Sequence, residues 1–117
     1  HHLSDSEYRL LRVVWASEPV ASGQLVTLCG ERLGWKKSTT YTVLKKLCDK
    51  GVLRNEGSTV TSAVPRAAVD HRAAEAFVDK TFGGSLPGFL TAFMGGRKLT
   101  AKEAEDLKRL IETYQEG

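Results

Sequence analysis

The segment 35–51 constrains this chain most, because a helical repeat of apolar residues there ends at a glycine. At about 100° per residue, one face is apolar, with Thr40 at its centre. That face comprises Tyr41, Val43, Leu44, Leu47 and Cys48. Ser38 is predicted to cap the start of the helix, and Gly51 to end it. A helix of about 13 residues is roughly 20 Å long and fits lengthwise in a DNA major groove.

The outward face of this helix combines small hydroxyls with lysines, whereas solvated faces usually mix lysine with glutamate. Threonine offers a donor, an acceptor and a methyl group to base edges, and lysine neutralises phosphate. We therefore predict base contacts from Ser38, Thr39 and Thr42. Phosphate contacts are predicted from Lys36, Lys37, Lys45, Lys46 and Arg54. The alternative is an ordinary solvated helix on a helical bundle.

The elements around this helix predict a winged helix-turn-helix over residues 3–64. Ser4 and Glu7 form a capping box that opens a first helix, which runs to about Ser17. Ser22 is predicted to cap a second helix that Gly34 closes. After Gly51 the pattern changes to a short apolar strand at 52–54 and an alternating strand at 59–64, joined by a turn at 55–58. The fold class is mainly α with a small β-hairpin wing.

Residues 65–117 are predicted to form three amphipathic helices separated by Gly-Gly pairs. So short a segment buries little apolar surface alone, so its aromatic and aliphatic residues are interpreted as half of an interface. A two-fold homodimer is preferred, because it places two copies of the helix in segment 35–51, the recognition helix, on the two half-sites of a near-palindromic DNA sequence. The alternative is that these helices pack back onto the first domain. The predicted interface comprises Phe77, Phe82, Phe89, Leu90, Phe93, Leu107, Leu110 and Tyr114.

Charge and composition exclude several functional classes. The 117 residues carry a net charge of +3, and all of that excess lies in residues 1–64. A local basic surface favours a polyanion partner. No apolar run reaches the ~18 residues of a membrane span, so we expect no membrane insertion and a cytoplasmic protein. His71 is the only histidine beyond the first two residues, and no phosphate loop or metal-ligand spacing is present. We therefore expect no enzyme, no metal and no cofactor.

The chain resembles the BlaI/MecI-type penicillinase repressors along essentially its whole length. The matching segments are L-S-D-S-E-Y, V-V-W, S-T-T-Y-T-V-L-K-K-L-C-D-K-G, F-G-G-S-L-P-G-F-L-T-A-F-M and L-T-A-K-E-A-E-D-L. The resemblance implies a dimeric repressor that binds a dyad-symmetric promoter operator and dimerises through its C-terminal helices. In the β-lactam branch, proteolysis prompted by a membrane sensor cuts the dimerisation region and releases the repressor from DNA.

Three features extend the resemblance to individual residues and motifs. Thr39 and Thr42 match base-contacting threonines of the family, whereas Ser38 replaces a frequent lysine, so the operator sequence is expected to differ. The family's cleaved Asn-Phe bond corresponds to Ala92-Phe93, the candidate cleavage site, in which only the phenylalanine is kept. The C-x-C motifs of the copper-responsive branch do not occur here, which disfavours copper sensing.

Two other classes of function stay open at this point. The predicted wing tip, 55–58, has no lysine or arginine, which suits a winged helix that binds proteins rather than DNA. Alternatively, Cys29 and Cys48 could serve a thiol-based redox sensor if they were exposed or close together. Buried thiols acting as small apolar side chains are the simpler interpretation.

Overall fold

Nine regular elements follow one another in residues 2–117, the part of the chain that the computed structural model describes. They are α1 (Asp5–Ser17), β1 (Val20–Ala21), α2 (Ser22–Leu33), α3 (Lys37–Asp49), β2 (Leu53–Glu56), β3 (Thr59–Ser62), α4 (Arg66–Phe82), α5 (Leu86–Met94) and α6 (Ala101–Tyr114). The mainly α fold with a small β wing is confirmed. No helix within residues 2–117 is both long and apolar enough to cross a membrane.

Capping boxes set the start of α1, as the sequence predicted, and the start of α6. In α1, the Glu7 amide donates to Ser4 Oγ at 3.2 Å, and the Ser4 amide donates to Glu7 Oε1 at 2.8 Å. The same reciprocal pair joins Thr100 and Glu103 at the start of α6. Each box satisfies amide groups that the first helical turn leaves without a partner.

The predicted caps of α2 and α3 are wrong by one and two residues. Ala21 precedes α2, and Ser22 lies inside the first turn, where its amide donates to the Ser58 carbonyl at 2.8 Å. Lys36 is the N-cap of α3, because its carbonyl accepts from the Thr40 amide at 3.1 Å. Neither α2 nor α3 has a side-chain cap. Backbone contacts therefore fix both starts.

The wing is a tighter hairpin than predicted, and a third strand supports it. Asn55 and Glu56 pair with Val60 and Thr59, so the turn contains only Gly57 and Ser58. Both have positive φ, 57° and 61°, as the favoured two-residue hairpin turn requires. β1 adds to the other edge of β3 in the antiparallel order β1-β3-β2. The sequence did not reveal β1, because two residues cannot show a period.

The core of the winged helix lies between its three helices and its sheet. Val43, Leu44 and Leu47 of α3 are buried, and Thr40 is fully buried beside them. The other elements contribute Leu10, Leu11, Val13, Val14, Val20, Leu25, Cys29, Leu53 and Val60. In α4, Val69 is buried, and the Arg66 guanidinium lies 4.6 Å from the centre of the Trp15 ring. Compact packing thus extends into the first half of α4.

The chain divides by internal contacts into a first unit that ends at Glu75 and a second unit, Ala76–Gly117. The proposed functional boundary between residues 64 and 65 stays a prediction. Within the second unit, Phe77, Phe82 and Phe89 form edge-to-face pairs with ring centres 5.5–6.0 Å apart. No residue of 76–117 is buried in the isolated chain. This unit therefore has an aromatic cluster but no core of its own.

Candidate nucleic-acid interface

Helix α3 separates its residues into a buried face and an exposed face with almost no mixing. Thr40, which the sequence placed at the centre of the apolar face, donates through Oγ1 to the Lys36 carbonyl at 3.3 Å. The exposed face carries Ser38, Thr39, Thr42, Lys45, Lys46 and Asp49. Because the buried face fixes the rotation of the helix, these six side chains all point away from the core. The geometry gives a continuous polar strip one helix long.

The sequence assigned Tyr41 to the apolar face of α3, but the structure places it outside that face. Its side chain is 38% exposed, and it borders a surface pocket with Leu44, Lys45, Cys48 and Asn55. Its position between Thr40 and Thr42, at the margin of the apolar face, explains the error. A tyrosine at this margin can bury its ring edge and leave its hydroxyl in water.

The hydroxyl groups of the strip differ in what they can still bind. Thr42 Oγ1 donates to the Ser38 carbonyl at 2.9 Å. That bond leaves the acceptor lone pairs and the methyl group of Thr42 free for a base edge. The side chains of Ser38 and Thr39 have no hydrogen-bond partner among residues 2–117. All three hydroxyls are therefore available to a ligand.

The predicted phosphate-contacting cations are all exposed. Lys45 Nζ lies 2.9 Å from Asp49 Oδ2, one helical turn further on, so its charge is partly balanced. Lys36, Lys37, Lys46 and Arg54 form no ion pair within residues 2–117. Four unbalanced cations therefore lie at the start of α3, on its outward face and on strand β2. This is the charge distribution that phosphate contacts need.

The start of α1 lies beside the same strip, which the sequence did not predict. A cleft of about 360 Å³ is lined by Ser4, Ser6, Glu7, Ser38, Thr39, Thr42, Val43 and Lys46. Two exposed serines at the start of α1, the N-cap Ser4 and Ser6, thus join the hydroxyls of α3. The capping box placed Ser4 and Ser6 at a helix start, but only the tertiary structure shows which helix they face.

Glu7 links α1 to the end of α3 through a part-buried ion pair. Its side chain is 4% exposed, and its Oε1 lies 2.8 Å from Lys50 Nζ. Burial raises the pKa of Glu7, but hydrogen bonds from Lys50 and Ser4 outweigh it, so the pKa lies below its ordinary value. The second oxygen, Oε2, is buried without a hydrogen-bond partner. Lys50 therefore has a structural partner and is not among the free cations of the strip.

The wing offers little charge at its tip, as the sequence indicated. Gly57 and Ser58 form the turn, and Arg54 is the exposed cation of the hairpin strands. A tip without lysine or arginine is suited to backbone contact rather than to deep insertion into a minor groove.

The two cysteines are free and poorly suited to thiolate chemistry. Cys29 is fully buried and Cys48 is half-buried. Burial raises the pKa of both thiols, with Asp49 adding to the rise at Cys48. A thiol that stays protonated is a weak nucleophile. Within residues 2–117, no three metal-ligating side chains cluster.

The candidate cleavage site lies in a short helix of the second unit. Ala92 and Phe93 are exposed residues of α5, and the Ala92 carbonyl accepts from the Gly95 amide at 3.3 Å. Helical backbone does not fit a protease cleft that binds an extended chain. Cutting this bond requires α5 to open, and a nine-residue helix is only marginally stable alone.

Comparison with known proteins agrees with this architecture. A penicillinase repressor of Bacillus licheniformis is 20% identical over 117 residues, covering 97% of this chain and 91% of that protein. A penicillinase repressor of Staphylococcus aureus is 20% identical over 113 residues, covering 93% and 90%. The solution structure of monomeric Bacillus licheniformis BlaI with the blaP half-operator has a TM-score of 0.50 and 22% identity, covering 57% of this chain and 87% of that one.

The solved structure establishes the likeness of the winged-helix fold. The family profile described as "Penicillinase repressor" matches residues 3–113, nearly the whole chain. The chain therefore belongs to the penicillinase repressor family, whose members are repressors and not enzymes, as the sequence predicted.

Proposed function

We propose that the protein is a transcriptional repressor that binds a dyad-symmetric promoter operator as a homodimer. The observation that carries this proposal is the exposed strip of α3, in which small hydroxyls and lysines account for five of the six side chains. The proposal also draws on the family, because the relatives are named penicillinase repressors and BlaI was solved with its half-operator.

In the proposed complex, α3 lies in the major groove. Ser38, Thr39 and Thr42 contact base edges, where threonine methyl groups suit thymine and hydroxyls suit either donors or acceptors. The cations Lys36, Lys37, Lys45, Lys46 and Arg54 hold phosphates and fix the register. Lys45 contributes least among them, because Asp49 already neutralises part of its charge.

The second unit supports the homodimer. Leu86, Phe93 and Leu110 are each more than half exposed in the isolated chain, as are Phe77, Ile111 and Tyr114. Phe77, Phe82, Phe89 and Phe93 form one connected aromatic cluster, and exposed apolar patches of this kind mark interaction sites. The proposed interface comprises Phe77, Phe82, Phe89, Leu90, Phe93, Leu107, Leu110 and Tyr114. A two-fold axis through it pairs two copies of α3 on two half-sites.

Release from DNA is proposed to follow proteolysis in the second unit at Ala92-Phe93, with genes of β-lactam resistance among those regulated. Support comes from the family name and from the marginal length of α5. Mass spectrometry of the protein from cells exposed to a β-lactam should show a fragment ending at Ala92. An intact chain in derepressed cells would contradict cleavage.

The first experiment is a fluorescence-anisotropy titration of the protein against a labelled fragment of its own upstream region, at several salt concentrations. A scrambled duplex of the same composition is the control. We expect binding in the range of about 10⁻⁸–10⁻¹¹ M that survives competitor DNA, with the scrambled duplex at least about 10³-fold weaker.

Equal affinity for both duplexes, or none for either, would reject operator binding. That outcome would favour the second candidate, a winged helix that binds proteins, which a wing tip without lysine or arginine supports. An exposed strip that binds no DNA would then be interpreted as a protein-docking surface.

A further inference from the structure

A cavity of about 240 Å³ lies in the first unit, between the start of α1, the end of α3 and the first half of α4. Its lining residues are Leu3, Tyr8, Lys50, Gly51, Val52, Val64, Ala68, Val69 and Arg72. None of them belongs to the proposed base, phosphate or dimer contacts. The cavity is therefore separate from the surfaces assigned so far.

The walls of this cavity are mainly apolar. Leu3 and Val69 are buried, Val52 and Val64 are half-buried, and Tyr8 presents an aromatic ring. A protein cavity of about 150 Å³ accommodates benzene. A volume of 240 Å³ therefore has room for one six-membered ring with a short substituent.

Of the two basic side chains that line the cavity, only one is paired with an acid among residues 2–117. The ammonium group of Lys50 is paired with Glu7 at 2.8 Å. Arg72 is exposed and forms no ion pair within residues 2–117. The nearby Asp70 carboxylate is 3.6 Å from the Arg66 guanidinium, so it has its own partner. The guanidinium of Arg72 is thus the uncompensated charge at this apolar cavity.

The Tyr8 hydroxyl is a second polar group without a hydrogen-bond partner among residues 2–117. Burial and the nearby Asp70 carboxylate raise the pKa of Tyr8, and they outweigh the Arg12 guanidinium, which lowers it. The phenol therefore remains protonated at neutral pH and can donate a hydrogen bond. A guanidinium and a phenol over an apolar floor are the groups expected to hold a carboxylate attached to a ring.

We propose that this cavity binds a small organic carboxylate with an apolar body of about one ring. Its carboxylate pairs with the forked donors of Arg72 and accepts from Tyr8, while its ring packs against the aliphatic walls. Arginine suits this role because its planar group binds a carboxylate through two parallel hydrogen bonds.

A ligand in this cavity touches the end of the recognition helix at Lys50 and Gly51. It therefore acts as an effector that changes operator affinity, since any difference in its affinity for the free and DNA-bound protein couples the two equilibria. This coupling rests on the proposed operator binding, whereas occupation of the cavity does not.

The test is calorimetric titration of the full chain with benzoate, in the absence of DNA. Benzamide, which has the same shape without the charge, is the matched ligand. Two variants probe the site: Arg72→Gln removes the cation, and Ala68→Phe fills the cavity from an exposed position. Their controls are Arg9→Gln and Ala67→Phe, which change exposed residues that do not line the cavity.

We expect benzoate to bind with Kd on the order of 0.1–1 mM, as suits a ligand this small. Benzamide and the Arg72→Gln variant should each show binding at least about tenfold weaker, and Ala68→Phe should abolish it. Amide chemical shifts of Gly51, Val52 and Val64 should move on titration. Absence of benzoate binding at about 10 mM, or equal binding by Arg72→Gln, would overturn the proposal.

A second titration separates this site from the operator. Benzoate should shift the operator Kd of the wild-type protein and leave that of Ala68→Phe unchanged. An unshifted wild-type Kd would overturn the coupling, although the calorimetric result would still define the site. If the wild-type protein does not bind the operator even when no benzoate is added, that result contradicts the proposed function and not the cavity site.

Discussion

At the scale of single residues, two exposed helical threonines provide a test of base contact by Thr42. Thr42 and Thr27 each donate through Oγ1 to the carbonyl four residues earlier, so their local environments match. Thr42→Ala should cost about 1–3 kcal/mol of discrimination between the operator and a site altered at the contacted base. Thr27→Ala should leave this discrimination between the two sites unchanged. Competition binding with single-base operator variants measures both, and unchanged base preference in Thr42→Ala would contradict the contact.

Lys46 should act through charge alone. Its ammonium group is exposed and unpaired within residues 2–117, so its removal loses one phosphate contact. Lys46→Ala should weaken binding to all sequences alike and reduce the slope of log K against log salt by about one. Lys80→Ala, an exposed lysine of α4, is the control. Titrations at four salt concentrations give the slope, and an unaltered value would reject phosphate contact.

Glu7 should make stability depend on acid pH. Because its folded pKa lies below the ordinary 4.5, its stabilising contribution is present above pH 4.5 and is lost as pH falls through the folded value. Glu7→Gln should lower the free energy of unfolding by about 1–3 kcal/mol at neutral pH, since Lys50 loses its buried partner. Urea titrations at about pH 7 and pH 3 should show this difference shrinking in acid.

The control for Glu7 is Glu31→Gln, which changes an exposed glutamate of α2 that has no ion pair within residues 2–117. Its effect should stay within about 0.5 kcal/mol at either pH. If the difference in the free energy of unfolding between Glu7→Gln and wild type is the same at every pH, the carboxylate charge is not responsible for the loss of stability.

At the scale of one element, α2 has a glycine in its first turn and another at its C-cap, and the same substitution should have opposite effects at the two positions. An added Cβ would meet nothing within 4 Å at either Gly23 or Gly34. Gly23 is inside the helix, so Gly23→Ala should stabilise the protein by about 0.5–1 kcal/mol. Gly34 has φ of 69°, so Gly34→Ala should destabilise it by about 1–2 kcal/mol. Thermal unfolding measures the stability change of each variant. Stability changes of the same sign in both variants would contradict the backbone argument.

Helix type and order were predictable because they depend on local chemistry. The Ser4/Glu7 capping box and the periodicity located α1, and the Gly-Gly pairs lie between α4, α5 and α6 as predicted. Gly34 and Gly51 end α2 and α3 with positive φ, as glycine permits. The buried face of α3 was also predictable, since a period of 3.6 residues requires only the sequence.

Features set by contacts between distant segments were not predictable in the same way. The start of α2 depends on the Ser58 carbonyl of the wing, and β1 exists only through its pairing with β3. Glu7 is a first-turn acid by sequence, and only its pairing with Lys50, 43 residues away, explains its burial. The proximity of Ser4 and Ser6 to the α3 strip is likewise a tertiary feature.

At the scale of the whole molecule, the proposed homodimer should depend on the apolar face of α6. Leu110→Glu should shift sedimentation from dimer to monomer and weaken operator binding, because a desolvated carboxylate opposes association. Arg109→Glu adds an acid to the opposite side of the same helix and should leave the dimer intact. Analytical ultracentrifugation measures both. A monomeric wild-type protein at micromolar concentration, or a dimeric Leu110→Glu variant, would contradict the proposed interface.

The absence of buried side chains in residues 76–117 has a consequence for gene dosage. If a second copy supplies the missing core, the folded amount of this unit depends on how much protein the cell contains. Below the dimer dissociation constant, dimer concentration falls as the square of the total, so halving the protein leaves roughly a quarter of the dimers. Small changes in expression or dilution at division would then switch the target genes more sharply than a monomeric repressor could.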